Sequence, residues 1–474
     1  MTRNEFICLL PYMILAAAPV ILMLIITISR NLKVIYGFSL LMFLMAFLSL
    51  FIVMPSANCN IDSLLTIDSF GVLFLGIILL AGIFITILSY QYLSMHDGER
   101  EEYFIILFVG VLGSSILVIA SHFITFFLGL EMLSISLYVM IGYLRSRGYC
   151  IEASVKFLVI ASVATAFLLF GMGLIYAGSG SMVFQDIGKS MGEMTRISPL
   201  IFAGFGLILA GVGFKLALVP FHMWTPDIYQ GAPVPVTTFI ATISKGSVLA
   251  FALRLFINTG GYKNGTLIII ISAISVLSMF TGNLLALGQV NIKRLLAYSS
   301  IAHLGYLLIT LITGTPSGIE AAIFYIAAYT ITSIGAFGVI SILSVHERDA
   351  DNIEDLKGLF WSNPGIAIVL SLAFLSLAGM PLTAGFMSKF YLVLAGVKSG
   401  LWLLAFSLII NSVISLYYYL RVIKTMFTSS ETAKSVSLTP ASRLVLVLIV
   451  TGILFLGLFP SWITDLISTY LGIN

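Results

Sequence analysis

Charged side chains make up only 9% of the 474 residues, against 60% hydrophobic ones. Soluble domains carry about 25% charged residues, so a soluble globular class is excluded. Cysteine is as scarce: Cys8, Cys59 and Cys150 show no metal-ligand or paired spacing, and nothing points to a zinc, haem or iron–sulfur site or a disulfide framework. No Gly-rich nucleotide loop is present either, because no strand pattern precedes one. The net charge of +3 is scattered over loops and gives no reason to expect nucleic acid as a partner. The longest polar stretches are about 20 residues, too short for a soluble domain of 50 or more.

What remains is a succession of apolar runs with a mean hydropathy of +1.12. A membrane-spanning helix needs about 20 apolar residues, and about 14 runs meet that length. The sequence therefore predicts an all-α polytopic membrane protein in a lipid bilayer. The first run, from Phe6 to about Ile28 behind Arg3, is too long for a signal-peptide core and lacks a small-residue cleavage site, so it is expected to stay as the first helix. The expected spans are 6–28, 34–54, 70–93, 103–121, 123–144, 153–177, 199–230, 235–257, 265–287, 300–314, 318–345, 364–396, 401–427 and 442–461.

Two spans are too long. Segments 199–230 and 364–396 would each reach about 48 Å as straight helix, well over a hydrocarbon core of about 30 Å. Each holds an internal proline, Pro220 in LVPFHMW and Pro381 in GMPLTAG. Proline removes a backbone hydrogen bond and kinks or breaks a helix, so both spans are expected to be discontinuous. Broken helices at matching places in two halves point to a midplane ion site in an inverted-repeat transporter. The breaks fall in the seventh and twelfth spans, which predicts two inverted five-helix repeats, 103–257 and 265–427. Residues 1–102 would form three preceding helices, and 428–474 a last helix and tail.

Lys and Arg in short loops set the orientation. With helix 1 starting outside, Arg30, Lys33, Arg100, Arg145, Arg147, Lys293, Arg294, Arg348, Lys357, Arg421, Lys424, Lys434 and Arg443 lie in cytoplasmic loops. The other side holds Arg3, Lys189, Arg196, Arg254, Lys263 and Lys398. The bias predicts both termini outside. Four basic residues remain inside spans or at their edges: Lys156, Lys215, Lys245 and Lys389.

A charge at the centre of a bilayer costs roughly 2.5–3.5 kcal/mol on the mildest scale, and such residues are candidates for ion or proton pathways. Glu131 lies near the middle of the fifth span, where it is either part of a pathway or satisfied by Ser134 or Tyr138. Lys156 opens the sixth span and either snorkels to the surface or partners Glu131. Lys215 stands just before the Pro220 break, where freed carbonyls admit water or polar partners to membrane depth. Lys245 is central in the eighth span beside Thr242, Ser244 and Ser247, hydroxyls that suit a hydrated pocket; Lys389 follows the second break. Inert pairing with helix carbonyls is the alternative for each. His222, just past the first break, and His303, in SSIAHLGYL, titrate nearest to physiological pH; one could link the lysines, and the other is either a relay or a satisfied core histidine. His122, His346 and the acidic stretch 346–358 are expected at the surface, the last as a solvated loop or docking surface.

Three segments, GFKLALVPFHMWTPDIYQGAPVPVTTFIATISKG, FFLGLEMLSISLYVMIGYLR and NIKRLLAYSSIAHLGYLL, together resemble the antiporter-like membrane subunits of respiratory complex I, the NADH-quinone oxidoreductase. The PFHMWTPDIYQGAP wording is similar to the N branch of that family rather than to L or M, and the likeness runs over essentially the whole chain. The resemblance implies a proton channel built from Glu131, Lys215, Lys245 and Lys389, with His222 on the connecting path and Lys156 as an extra lysine. It implies that quinone reduction elsewhere drives the channel. Partners would be the other antiporter-like and small membrane-arm subunits and the peripheral NADH-oxidising arm, which would carry the flavin and iron–sulfur clusters, so no cofactor is expected in this chain. A bacterial inner membrane is the expected location. A subunit of a multi-subunit cation/proton antiporter is the alternative, and a scaffold with inert buried ion pairs a third.

Overall fold

In a computed structural model, residues 2–54, 58–95, 100–145, 147–193, 198–345, 348–429 and 438–472 are described. The elements are α1 (Arg3–Ile28), α2 (Leu32–Val53), β1 (Cys59–Ile61), β2 (Leu65–Ile67), α3 (Ser69–Ser94), α4 (Glu102–Ile119), α5 (Phe123–Ile141), α6 (Gly148–Ser179), α7 (Phe184–Glu193), α8 (Pro199–Leu216), α9 (Trp224–Gly231) and α10 (Val234–Phe239). A π-turn at Ile240–Ser244 joins α10 to α11 (Lys245–Thr259). There follow α12 (Gly265–Leu287), α13 (Ile292–Thr313), α14 (Pro316–Leu343), the short α15 (Leu359–Ser362), α16 (Pro364–Ala378), α17 (Ala384–Lys398), α18 (Trp402–Phe427), α19 (Pro440–Leu458) and α20 (Pro460–Leu471). Among the described residues thirteen helical stretches are long and apolar enough to cross a membrane, and α16 is a shorter apolar helix. Helices satisfy their own backbone, which is what a bilayer demands of any segment that spans it.

Both expected breaks are present. The chain leaves helix between Leu216 and Trp224, and again between Ala378 and Ala384. Each break turns through a non-glycine residue in the left-handed region, Ala217 (φ 60°) and Leu382 (φ 72°), a conformation rarely adopted outside glycine and asparagine. At the second break the backbone approach is so close that a Cβ on Gly385 would lie 1.7 Å from the Ser376 carbonyl oxygen. Between lipid-solvated helices, packing rather than hydrophobic transfer drives association, and small residues permit it. Gly171 of α6 and Gly204 of α8 show this: a Cβ on either would come within 2.8 Å of the other's carbonyl oxygen.

Several expectations fail, each for a tertiary reason. A β-hairpin, Cys59–Ile61 paired antiparallel with Leu65–Ile67, joins α2 to α3, although no strand was expected. Cys8 and Cys59 form a disulfide that ties the start of α1 to this hairpin; a separation of 51 residues carries no motif, and only the return of α2 brings them together. Arg254, expected in a loop, is buried in α11, where it donates to both Asp68 carboxylate oxygens (2.6 and 2.9 Å) and to the Val118 carbonyl (2.8 Å). The tail beyond 461 is helical, as α20.

Two faces of the bundle can be named by landmarks. One carries the β-hairpin and is called the hairpin face. The opposite one carries Asp349, at the loop after α14. The 346–358 stretch is not simply solvated: Asp349 is buried and accepts from Tyr92 (2.7 Å), Arg147 (2.8 Å) and Lys293 (2.7 Å). Burial alone would push its carboxyl up, but the Lys293 ammonium, with hydrogen bonds from Lys293, Arg147 and Tyr92, outweighs that and holds it down at about 2. Lys293 also donates to the Ala232 carbonyl between α9 and α10 (2.8 Å). Arg147 and Lys293, expected in cytoplasmic loops, are buried at the start of α6 and in α13. His346, Arg196 and Lys434 lie outside the described residues.

Candidate functional site

The site begins on α5. Glu131 is partly buried, and its Oε1 accepts from Thr165 of α6 at 3.0 Å. The expected partners Ser134 and Tyr138 do not fill that role. Ser134, one turn on, instead accepts from Lys215 Nζ at 2.7 Å. Glu131 and Lys215 are thus linked through α5, Glu131 lying one turn from the Ser134 that Lys215 bonds, without a direct ion pair among the described residues. The rings of Phe157 and Phe214 stand 5.7 and 5.9 Å from Nζ, so aromatic faces take up part of the cation's field.

The first break is capped from within. Ala217 and Leu218 N–H groups return to the Phe214 and Gly213 carbonyls (2.9 and 2.8 Å), and the Trp224 indole donates to Phe214 at 2.9 Å. These bonds leave Lys215 free of capping duty. Beyond the break, His222 Nδ1 and Thr225 Oγ1 are buried with no hydrogen-bond partner among the described residues. Buried polar atoms are nearly always paired, with water where protein gives nothing. The segment between Lys215 and Lys245 therefore has the chemistry of a hydrated passage.

Lys245 follows the π-turn, a helix irregularity found mostly at functional sites. The neighbouring hydroxyls do not hold it: Thr242 and Ser247 bond the Thr238 and Ser244 carbonyls of their own turn. Its Nζ donates across to Ser300 of α13 at 2.6 Å and lies 5.2 Å from the Tyr229 ring. From Ser300 the path is a helical stripe, because residues three apart share a face. His303 Nδ1 is hydrogen-bonded to Tyr325 Oη at 2.6 Å, and its Nε2 is buried without a partner among the described residues. Tyr306, the next member, places its ring 5.5 Å from Lys389 Nζ.

Lys389 closes the row. Its Nζ donates to the Leu377 and Ala378 carbonyls and to Ser412 Oγ, each at 2.9 Å. It caps the C-terminal end of α16, where freed carbonyls and the helix dipole both favour a cation. Lys156 is not part of the row. It is half exposed and pairs with Glu152 one turn away at 2.6 Å, beside a polar cavity of about 390 Å³ on the Asp349 face that Asp227, Gln230 and Asp351 also line. His122 only caps α5, its Nδ1 accepting from the Ile124 N–H at 3.1 Å. The residues that sequence reasoning missed, Thr165, Ser300 and Tyr306, carry common polar groups with no mark of depth. The three-residue spacing of Ser300, His303 and Tyr306 was the available signal. Among the described residues no three His, Cys, Asp or Glu side chains gather as a metal site.

Comparison with known proteins covers nearly the whole chain. Residues 120–415 match the family described as NADH:quinone oxidoreductase/Mrp antiporter, TM. NADH-quinone oxidoreductase subunit N of Methylococcus capsulatus is 43% identical over 469 residues, 98% of this chain and 95% of the relative. Respiratory complex I of Thermus thermophilus with bound aureothin contains a chain with a TM-score of 0.84 at 30% identity, covering 96% of this chain and 98% of that one. The fold alone is shared with a chain of the Mrp complex from Dietzia sp., with a TM-score of 0.87 at 17% identity over 99% and 97% of the two chains. Family model, relative and solved structure agree, and the chain belongs to the NADH:quinone oxidoreductase/Mrp antiporter transmembrane family.

Proposed function

We infer that the chain is the proton-translocating membrane subunit N of a respiratory complex I, and that its buried row is the proton path. The observation that supports the second part is the order of Glu131, Lys215, Lys245, His303 and Lys389 along the fold, with Ser134 bonded to Lys215, Ser300 to Lys245 and the Tyr306 ring against Lys389. Charge at Glu131 biases whether Lys215 keeps its proton. A proton released there passes the His222 and Thr225 segment to Lys245, then along the α13 stripe to Lys389. His222 and His303 relay, because each has a buried nitrogen with a lone pair or proton to exchange. Lys156, beside the polar cavity, serves uptake at the surface rather than transfer in the row.

Flavin, iron–sulfur clusters and most of the quinone site then belong to partner subunits, with the neighbouring antiporter-like and small membrane subunits packed alongside. The two five-helix repeats are supported by the matching breaks. Placement in a bacterial inner membrane with both termini outside is supported by the Lys/Arg bias and by the Cys8–Cys59 disulfide on the hairpin face, since disulfides persist in oxidising compartments.

The test is NADH-driven proton pumping in membrane vesicles carrying Lys215→Ala, with assembly of the complex checked on the same sample. Loss of quinone-coupled NADH oxidation and of pumping in an assembled complex is the expected result. Unchanged NADH-driven pumping with altered Na⁺/H⁺ exchange would move the chain to the antiporter class.

A further inference from the structure

A second polar network lies beside Lys389 and meets the proton row only at Tyr306. Asn283 of α12 and Asn411 of α18 are fully buried. Asn283 Nδ2 lies 3.0 Å from the Met279 carbonyl, 3.0 Å from Tyr306 Oη and 3.1 Å from Asn411 Oδ1. Its Oδ1 accepts from Tyr418 Oη at 2.9 Å. Asn411 Nδ2 donates to the Ser407 carbonyl at 2.9 Å. Backbone carbonyls can only accept, so Met279 and Ser407 fix which end of each amide is nitrogen.

The position of this network matters. Tyr306 touches Lys389 with its ring and Asn283 with its hydroxyl. Asn283 lies four residues before the end of α12, about 6 Å along the helix, and Arg421 binds the Leu287 carbonyl at that end at 2.9 Å. Hydroxyls and histidines pass protons because they donate and accept through one group. An amide that faces acceptors with its N–H₂ has no lone pair to take a proton there. Asn283 thus separates Tyr306, whose ring lies against Lys389, from Tyr418, which stands on α18 three residues before Arg421 at the Asp349-face end of α12.

We propose that Asn283, held in orientation by Asn411, is a proton seal that isolates Lys389 from the Asp349 face, so that protons reach it only along the row. The proposal rests on the proton-path reading above. A pump needs such a seal: a lysine open to both faces would short-circuit the gradient.

The experiment uses the purified whole complex in proteoliposomes under an imposed pH gradient without NADH, so that leak is read apart from turnover. Asn283→Asp keeps the shape but meets the same acceptors, which a carboxyl can satisfy only by carrying a proton. It should speed decay of the gradient several-fold. Asn283→Leu removes the amide without adding a relay and should stay as tight as the unaltered complex. Combining Asn283→Asp with Lys389→Ala should restore tightness, because the leak runs through Lys389. A tight Asn283→Asp complex, or an equal leak in Asn283→Leu, overturns the seal. Should Asn283→Asp fail to assemble, Asn411→Asp places a proton-carrying group at the same junction, and a tight complex there would equally overturn it. Loss of pumping in Lys215→Ala together with a tight Asn283→Asp would refute the seal and leave the proton path standing; normal pumping in Lys215→Ala would refute the path itself.

Discussion

The two breaks use lysine in opposite ways. Lys215 stands before its break and bonds one hydroxyl between two aromatic rings, with Glu131 one turn away from that hydroxyl on α5. Lys389 stands after its break and is fastened by two carbonyls and a hydroxyl, with no carboxylate among its hydrogen-bond partners. At the first break the freed backbone groups are closed by Ala217, Leu218 and Trp224; at the second the lysine itself does much of the closing. One site is built to respond to a neighbouring charge, the other to hold a cation in place. The difference teaches that similar sequence landmarks, a proline break with a lysine nearby, do not imply the same electrostatic task.

The most severe way to break the comparison is to remove what ties the helices around both breaks into one frame. Asp349 joins α3, the start of α6 and α13, and through Lys293 it reaches the carbonyl between α9 and α10. Asp349→Asn would leave Arg147 and Lys293 buried without their anion, a change that typically costs 3–5 kcal/mol, about 10²-fold or more in stability. We expect little assembled complex in membranes, measured by native gel and by NADH oxidation. Low pH should mimic it. Because the carboxyl titrates at about 2 in the folded chain against 3.8 for a free one, its stabilisation is full above about pH 4 and is lost as pH falls toward 2. Loss of the complex only on the alkaline side would contradict the assignment.

Next in size is a pair of substitutions that separates function from support. Lys215→Met and Lys389→Met should both lower pumping at least tenfold, since neither variant carries a proton. Only Lys389→Met should also destabilise the fold, because the Leu377 carbonyl loses its donor while Ala378 keeps Ser412, at about 1–3 kcal/mol for a buried group left unpaired. Thermal dissociation of the purified complex reads this directly, and equal melting of the two variants would show that the asymmetry is not energetic. Lys245→Arg keeps the charge and belongs between the two. Arginine stays protonated at any useful pH, so pumping should fall at least tenfold with assembly intact; undiminished pumping would remove Lys245 from the path.

Why the row was legible and its surroundings were not follows from what a bilayer penalises. Glu131, Lys215, Lys245 and Lys389 stand out because a charge inside an apolar run is costly wherever the run folds. The breaks were legible for a similar reason, since proline and excess length are both visible in one dimension. Asp349, Lys293, Arg147 and Arg254 were not, because residues near the ends of spans look alike whether they face water or each other. The Arg147–Asp349 pair closes over 202 residues, a distance at which pattern carries no information. Lys156 shows the converse: it sits in a span by hydropathy, yet its long stem takes it to the surface beside Glu152. Asn283 and Asn411 left no mark at all, an uncharged amide being mild enough to pass as ordinary helix.

The finest test addresses what the responsive site responds to. Thr165 makes the hydrogen bond to Glu131, and a hydroxyl–carboxylate bond contributes about 1.5–3 kcal/mol when the acceptor is charged. Thr165→Val keeps the branched shape and removes only that bond. The carboxylate loses the hydrogen bond that orients it, so its interaction with Lys215 should change. If Glu131 sets the state of Lys215, the pH dependence of pumping should shift while maximal NADH oxidation with an uncoupler stays the same. The same hydroxyl deletion at the other break, Ser412→Ala, should leave the pH profile in place, because Lys389 keeps both carbonyls and answers to no acid. Equal shifts in the two variants would mean that both lysines are set alike, and the contrast between the breaks would then be one of geometry alone.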